Sequence, residues 1–173
     1  MYRFVPVMEA DRPLLIEWLS APDARKWWGD PAHELKLIYE GEVSGESRGF
    51  IAHKEDGPFA YIQCWPCDAQ PEEAVAKEPW VREQAPGTLG VDITIGQPDL
   101  LGKGHGSKAV RAFCDMLFAE GAPRIIIDPD ATNQRAVRAY EKAGFSRFDH
   151  FTNQDGSVTL LMERFPSEGH DTL

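Results

Sequence analysis

A glycine-rich segment, 102-GKGHG-106, stands directly before a stretch of helical periodicity that runs to about residue 119. Three glycines in five residues leave the backbone N–H groups open to a ligand, because no side chain stands in front of them. The stretch that follows places Val110, Phe113, Cys114 and Leu117 on one face of a helix. Amides that converge in front of a helix N-terminus bind phosphate groups. The segment therefore predicts a phosphate-binding loop.

Two common phosphate motifs fit this loop poorly. A Walker loop requires G-x-x-x-x-G-K-[ST], but Gly104 follows Gly102-Lys103 and Gln97 stands where the first glycine belongs. The dinucleotide fingerprint G-x-G-x-x-[GA] fits residues 104–109, with Asp128 placed as the ribose-binding acid. However, a Rossmann domain begins with this unit, whereas about 100 residues precede it here and 45 follow Asp128. Dinucleotide binding is therefore kept only as an alternative.

The segment 64-CWPC-67 has the spacing of a redox dithiol. A redox dithiol works at a helix N-terminus, where the helix dipole lowers the thiol pKa, but this one ends an apolar run that is typical of a strand. A zinc site would need two further ligands, and the chain has only Cys114 left. We interpret the cysteines as structural and predict no metal site. Their odd number fits a reducing compartment better than a disulfide framework.

The second half of the chain alternates strands and helices. The pattern predicts strands at 88–95, 124–128, 145–152 and 157–165, and helices at 104–119 and 133–143. Within the apolar strand 88–95, the carboxylate of Asp92 would be costly unless it were paired, which favours a functional role.

The first half is less regular. The pattern predicts a strand at 2–7, a helix at 11–20 with Asp11 as its N-cap, a helix at about 31–39 and a hairpin of strands 48–54 and 58–65. Residues 68–86 are polar and acidic, and we expect a long loop or a helical insertion there. The order of elements indicates an α/β (α+β) fold with a mixed central sheet. We expect one domain over residues 1–165 and a flexible tail over 166–173.

The formal net charge of −10 argues against nucleic acid as a partner, because phosphate backbones bind basic patches. It favours a cationic partner. No apolar segment approaches the ~20 residues that cross a membrane, and the N-terminus has no run of signal-peptide length. The expected location is the cytoplasm.

Two motifs resemble the GNAT superfamily of N-acetyltransferases. The first, 101-LGKGHG-106, is similar to the family's pyrophosphate loop [Q/R]-x-x-G-x-[G/A], with Leu101 in place of the usual Gln or Arg. The second, 133-NQRAVRAYEKAGF-145, has the Asn, the helical Tyr and the ending that are common in these enzymes. The resemblance implies the GNAT fold and acetyl-CoA as cofactor.

The resemblance narrows to the aminoglycoside 6'-N-acetyltransferases over roughly residues 5 to 165. It is clearest in 17-EWLSAPDARKWWG-29, 89-LGVD-92 and 128-DPDATNQRAVRAYEKAGF-145. By position, it implies that Asp92 receives the attacking amine or acts as its base. Asp128 corresponds to a carboxylate that grips substrate ammonium groups, although before Pro129 it could merely cap a turn. Tyr140 corresponds to the general acid beside the CoA sulfur, although it could be core packing.

Four further residues correspond to substrate contacts of that family. Trp80 matches an aromatic wall of the antibiotic site, and Trp27 and Trp28 match a tryptophan pair that lies either in the wall or in the core. Asp155 matches an acidic contact, although an Asp-Gly turn could place it in a hairpin for local reasons alone. Between Trp27 and Trp80 the sequence diverges from the family.

The implied cofactor site joins the loop to the strand before it. Backbone N–H groups of the strand are expected to hold the thioester oxygen if they splay away from the next strand. His105 is expected to be a surface residue rather than a catalyst. The expected cofactor-binding residues are Ile93, Thr94, Ile95, Leu101, Gly102, Lys103, Gly104, His105, Gly106, Ser107, Asn133 and Tyr140.

The sequence thus predicts an acetyl-CoA-dependent enzyme that acetylates a primary amine, the 6'-amino group of an aminoglycoside antibiotic, by direct attack. The expected form is a monomer or homodimer. One alternative is the same fold acting on another amine, such as a hydroxylysine-type siderophore precursor or a protein N-terminus. The other is a nucleotide-binding or redox module built on the GxGxxA and CWPC segments.

Overall fold

Seven strands form one sheet in the order β1-β2-β3-β4-β5-β7-β6 in a computed structural model that describes residues 1–168. The strands are β1 (Arg3–Pro6), β2 (Arg48–Lys54), β3 (Gly57–Pro66), β4 (Leu89–Ile95), β5 (Ile125–Ile127), β6 (Ser146–Thr152) and β7 (Val158–Arg164). The helices are α1 (Arg12–Ser20), α2 (Pro22–Trp28), α3 (Pro31–Ser44), α4 (Glu72–Lys77), α5 (His105–Ala119) and α6 (Gln134–Lys142). Neighbouring strands are antiparallel except β4 and β5, which are parallel. The predicted mixed sheet with flanking helices is confirmed.

Helices cover both faces of the central strands, which explains why most of their residues are apolar. On one face, α5 and α6 pack on the sheet in a core cluster that includes Phe113 and Ile125. On the other face, α1 and α3 contribute Leu15 and Ile38 to a second cluster with Tyr61 of β3.

The parallel pair β4–β5 opens into a gap. These strands pair only at Leu89↔Ile125 and Gly90↔Ile126, so the last five residues of β4 have no partner on that side. The connection between them runs through the glycine-rich loop and α5. A parallel pair that separates towards its carboxyl ends creates a crevice, the usual place for a ligand in an open sheet.

The first half differs from expectation in three places. The carboxylate of Asp11 does not cap α1 but accepts the N–H of Met8 at 2.8 Å, because a preceding 3₁₀ turn takes it up. A separate helix, α2, lies between α1 and α3, and α3 extends to Ser44. Of the two forms expected for residues 68–86, the structure has the helical insertion, with α4 between two short 3₁₀ segments.

Residues 165–168, which follow β7, have no regular secondary structure. The rest of the predicted tail, 169–173, lies outside the described residues, so its flexibility stays a prediction.

Candidate active site

A cleft of about 720 Å³ occupies the gap between β4 and β5 and extends beneath α2, α3 and α6. Its lining joins the glycine-rich loop at one end to a group of carboxylates at the other. Most of the predicted site residues lie here: Trp27, Trp28, Asp92, Ile93, Thr94, Ile95, Leu101, Gly102, Gly104, Gly106, Ser107, Asp128, Asn133 and Tyr140.

The loop bends at two glycines whose φ angles are positive, +73° at Gly102 and +84° at Gly104. Residues that carry a side chain rarely adopt a positive φ, so the path of the backbone requires glycine at these two positions. Gly104 is the N-cap of α5, and the helix therefore begins at the loop with its positive end towards the cleft. This arrangement suits an anionic group.

Two predicted loop residues turn away from the cleft lining. The Nδ1 atom of His105 lies 2.9 Å from the hydroxyl of Tyr2, and its ring packs near Phe59. Lys103 is exposed. Neither side chain belongs to the lining of the cleft, and the expectation that His105 is no catalyst stays a prediction.

Alternate peptide groups of β4 face the gap. Gly96 donates its N–H to the carbonyl of Phe59 on β3 at 2.8 Å. Along an antiparallel strand, every second residue bonds to the same neighbour, so Thr94 and Asp92 also bond towards β3. Leu89 donates in the opposite direction, to Arg124. By this alternation, Ile93 and Ile95 point their N–H groups into the gap. Of the three N–H donors expected at Ile93, Thr94 and Ile95, only those of Ile93 and Ile95 therefore face the gap, because the N–H of Thr94 points towards β3.

Asp92 lies on β4 with its carboxylate in the cleft. Its Oδ2 atom accepts hydrogen bonds from Nε2 of Gln63 at 2.9 Å and from Nε1 of Trp65 at 2.8 Å. Burial raises the pKa of this carboxyl, and the two hydrogen bonds partly oppose the rise. The half-buried carboxylate is therefore paired, as its cost in an apolar strand requires.

Asp128 follows β5 and faces Asp92 across the gap. Burial raises its pKa well above the ordinary value, and the negative charges of Asp92 and Glu78 raise it further. The turn that follows is closed by Asp130, whose Oδ1 accepts the N–H of Thr132 at 2.8 Å. Since Asp130 caps this turn, the carboxylate of Asp128 is not needed for that role and lines the cleft.

Tyr140 projects from α6 into the cleft, on the side where Asp92 and Asp128 lie. Its pKa is raised by burial and by the charges of these two carboxylates. The phenol is therefore protonated at neutral pH and has a proton available to donate. Asn133 caps α6 by accepting the N–H of Ala136 at 3.3 Å, so one residue both starts the helix and lines the cleft.

The structure corrects two of the expected substrate contacts. Trp80 is only 4% exposed and packs in a cluster with Ile126 and Leu161, behind Trp65, which is the tryptophan of this cluster that lines the cleft. Trp80 therefore lies behind the wall of the cleft instead of in it. Asp155 lies in the β6–β7 turn, outside the cleft lining, where its Oδ1 accepts the N–H of Ser157 at 2.9 Å.

Trp27 and Trp28 both line the cleft from α2. Trp28 also packs edge-on against Tyr61, with ring centroids 5.9 Å apart. Trp28 thus contributes to the core and to the wall, which the sequence had left as alternatives.

Sequence reasoning missed several cleft residues. Gln63 and Trp65 are two residues apart and lie on the same face of β3. Only the register of β3 against β4 reveals that they reach Asp92. Two carboxyls, Glu34 on α3 and Glu78 after α4, also line the cleft, and burial raises the pKa of each. The acidic composition of 68–86 was the one signal that pointed to Glu78.

Cys64 and Cys67 are buried thiols and form no disulfide. Burial raises the pKa of Cys67 to about 12, and it also raises that of Cys64. A redox dithiol needs a lowered thiol pKa, so the geometry opposes that alternative.

Comparison with known proteins agrees with the cleft. The family model "Acetyltransferase (GNAT) domain" matches residues 7–153. Aminoglycoside N(6')-acetyltransferase type 1 of Klebsiella pneumoniae is 32% identical over 163 residues, which cover 90% of this chain and 79% of that protein.

Crystal structures of the aminoglycoside acetyltransferase AAC(6')-Ib, one with coenzyme A and one with coenzyme A and kanamycin, superpose with a TM-score of 0.82 and 29% identity. Each superposition covers 95% of both chains. Within residues 1–168, none of the helices has the length and apolar character that a bilayer crossing requires. The phosphate-type loop, the splayed strands and these matches lead to one conclusion: the chain belongs to the GNAT acetyltransferase family.

Proposed function

We propose that this protein transfers the acetyl group of acetyl-CoA to the 6'-amino group of an aminoglycoside by direct attack, and that it thereby confers resistance to the antibiotic. The observation that carries the proposal is a single cleft with an anion-binding loop at one end and several carboxylates at the other. The likeness to enzymes named for this activity, over nine-tenths of the chain, supports it.

Acidic side chains outnumber basic ones in the lining of the cleft, and one basic residue, Arg135, is paired with Asp23 at 2.6 Å. The basic side chains are on α6 and comprise Arg135, Arg138 and Lys142. The acidic side chains are Asp23, Glu34, Glu46, Glu78, Asp92, Asp128 and Asp130. A cofactor that carries phosphates fits the α6 and loop end, and a substrate with several ammonium groups fits the acidic end.

The residues present fit acetyl-CoA. Amides of residues 102–106, at the N-terminus of α5, would hold its diphosphate, and Leu101 supplies no polar side-chain contact there. The N–H groups of Ile93 and Ile95 would donate to the thioester oxygen, where negative charge develops during acetyl transfer. Acetyl-CoA supplies the activated acyl group, and no covalent enzyme intermediate is required.

The remaining roles belong to Asp92 and Tyr140. Asp92 would bind the substrate ammonium and take or pass on its proton, so that the neutral amine attacks the thioester carbon. As the C–S bond breaks, Tyr140 would donate its proton to the departing thiolate. The products are the N-acetylated amine and the free thiol of CoA. Asp128 would hold a second ammonium group beside the first.

A thiol-release assay with acetyl-CoA, run over a panel of aminoglycosides, polyamines and peptides, tests the proposal. We expect turnover on aminoglycosides with a free 6'-amino group and none on matched compounds that carry a 6'-hydroxyl. Turnover on peptides or polyamines alone would leave the family assignment intact and refute the proposed substrate.

The cofactor is tested separately by thermal shift. We expect acetyl-CoA to raise the Tm and NADH to leave it unchanged. Stabilisation by NADH alone would refute acetyl-CoA as the cofactor.

We further propose that the enzyme acts in the cytoplasm as a monomer or homodimer, with residues 1–165 as one domain. The three buried free thiols support a reducing compartment. Light scattering on the purified protein measures the oligomeric state, and a larger assembly would contradict this part of the proposal.

A further inference from the structure

Asp92 is held through one of its two oxygens. Both hydrogen bonds that it accepts, from Gln63 and from Trp65, end on Oδ2. Among residues 1–168, neither a hydrogen bond nor an ion pair engages Oδ1. The carboxylate is therefore oriented, with one oxygen fixed and the other available to a ligand in the cleft.

The amide of Gln63 is oriented in its turn. The hydroxyl of Tyr61 donates to Oε1 of Gln63 at 2.8 Å, which leaves the NH₂ end to face Asp92. Tyr61 is fully buried, and a Cβ atom at Gly49 on the neighbouring strand would lie 2.6 Å from its hydroxyl. Glycine at position 49 thus leaves room for the first member of this chain of hydrogen bonds.

The indole of Trp65 is the second group that orients the carboxylate of Asp92. Trp65 lies opposite Gly90 in the β3–β4 register, and a Cβ atom at Gly90 would lie 2.1 Å from the indole ring. The ring therefore lies across the bare backbone of Gly90, and its Nε1 reaches the carboxylate two residues further along β4. Trp80 supports the ring from behind, with centroids 6.4 Å apart.

We propose that Trp65 and Gln63 are positioning residues of the acetyl transfer: they hold Oδ2 of Asp92 so that Oδ1 alone receives the ammonium group of the substrate. This inference rests on the proposed function. It assigns a purpose to the pairing of Trp65 with Gly90, which packing alone does not explain, because the indole N–H is aimed at a carboxylate.

The proposal has a pH signature. Hydrogen bonds to a carboxylate favour its ionised form, so removal of one donor raises the pKa of Asp92 further. Because the ionised form binds the ammonium group, the acid limb of the kcat/KM profile then moves to higher pH. The profile of kcat/KM reports the free enzyme, in which these bonds are seen.

The test compares Trp65→Phe with Trp80→Phe. Both replace a tryptophan of the same cluster, but Nε1 of Trp80 has no hydrogen-bond partner among the described residues, so only the first variant removes a bond to Asp92. We expect Trp65→Phe to move the acid limb upward by about one pH unit and to lower kcat, with the KM for acetyl-CoA unchanged. Trp80→Phe should leave the limb in place.

Gln63→Met, which keeps the length of the side chain without its donor, provides a second variant in case Trp65→Phe folds poorly. It should move the limb in the same direction. A limb that stays in place in both Trp65→Phe and Gln63→Met would overturn the proposal, even if both variants lose activity equally at all pH values. Absence of acetyl transfer by the unaltered enzyme would instead refute the proposed function.

Discussion

A single carboxylate, Asp92, connects the cofactor end of the cleft to its acidic end. We expect Asp92→Asn to lower turnover at least tenfold, because the amide neither attracts the ammonium group nor takes its proton. Thermal stabilisation by acetyl-CoA should be unchanged, since the loop and α5 are the elements proposed to hold that ligand. Equal losses of turnover and acetyl-CoA binding would contradict the role of Asp92.

Tyr140 is predicted to act through its proton rather than through its ring. Tyr140→Phe keeps the packing against Phe145, whose ring centroid is 6.4 Å away, and removes only the hydroxyl. We expect kcat with acetyl-CoA to fall about 100-fold and the Tm to change little. Unchanged kcat in a chemistry-limited assay would show that another group protonates the thiolate.

The carboxyl of Asp128 is expected to cost stability when the cleft is empty. Its folded-state pKa is raised above the unfolded value, so the ionised carboxyl destabilises the fold at pH values above the folded-state pKa. At pH 8, we expect Asp128→Asn to raise the Tm by about 2–4 °C and to weaken aminoglycoside binding.

The gain in Tm from Asp128→Asn should begin to shrink as the pH falls through the folded-state pKa and should disappear near the unfolded-state pKa, below which the carboxyl is neutral in both states of the unaltered protein. Asp155→Asn is a matched control, since hydrogen bonds from Ser157 lower the pKa of Asp155. That control should show no gain at pH 8. A gain in Asp128→Asn that is equal at all pH values would contradict the account.

At the scale of elements, the glycine-rich loop and α5 form one unit, and two glycines in it have different tasks. Gly104 has a φ of +84°, so Gly104→Ala is strained although nothing lies within 4 Å of the new Cβ atom. We expect a loss of about 1–2 kcal/mol in stability and weaker protection by acetyl-CoA.

Gly106, in the first turn of α5, is the control for Gly104. A Cβ atom there would make an ordinary contact of 3.8 Å with Ile95, and alanine favours helix. Gly106→Ala should therefore raise the Tm slightly in a thermal melt without ligand. Equal destabilisation by both variants would mean that backbone strain is not the cause.

At the scale of the whole molecule, the cleft shares the acidic character of a chain whose net charge is −10, because its lining has more acidic than basic side chains. We expect kcat/KM for an aminoglycoside to fall about tenfold or more between 0.05 and 0.5 M NaCl, because salt screens the attraction of a polycation. Stopped assays at fixed acetyl-CoA measure this slope.

The location of the charge is tested by two variants that change the net charge equally. Glu78→Gln removes a carboxylate of the cleft, and Asp155→Asn removes one outside it. Only Glu78→Gln should flatten the salt dependence. The same slope in both would indicate that overall charge, rather than the cleft, attracts the substrate.

The sequence alone determined the fold class and the phosphate-type loop, because these depend on local patterns. Glycines in front of an amphipathic helix, apolar runs of strand length and an acid inside such a run are all visible without coordinates. For the same reason the family was recognisable, and Asp92, Asp128 and Tyr140 were expected in the positions where they meet in the cleft.

Tertiary structure decided which side chains surround those residues, because strand register and helix packing join residues that are far apart in sequence. The register of β3 against β4 brought Trp65 and Gln63 to Asp92, and the packing of residues 68–86 buried Trp80 while it exposed Glu78 to the cleft. A one-residue shift in pairing would have turned each of the β3 side chains to the opposite face of the sheet. Spacing along the chain carries no record of that choice.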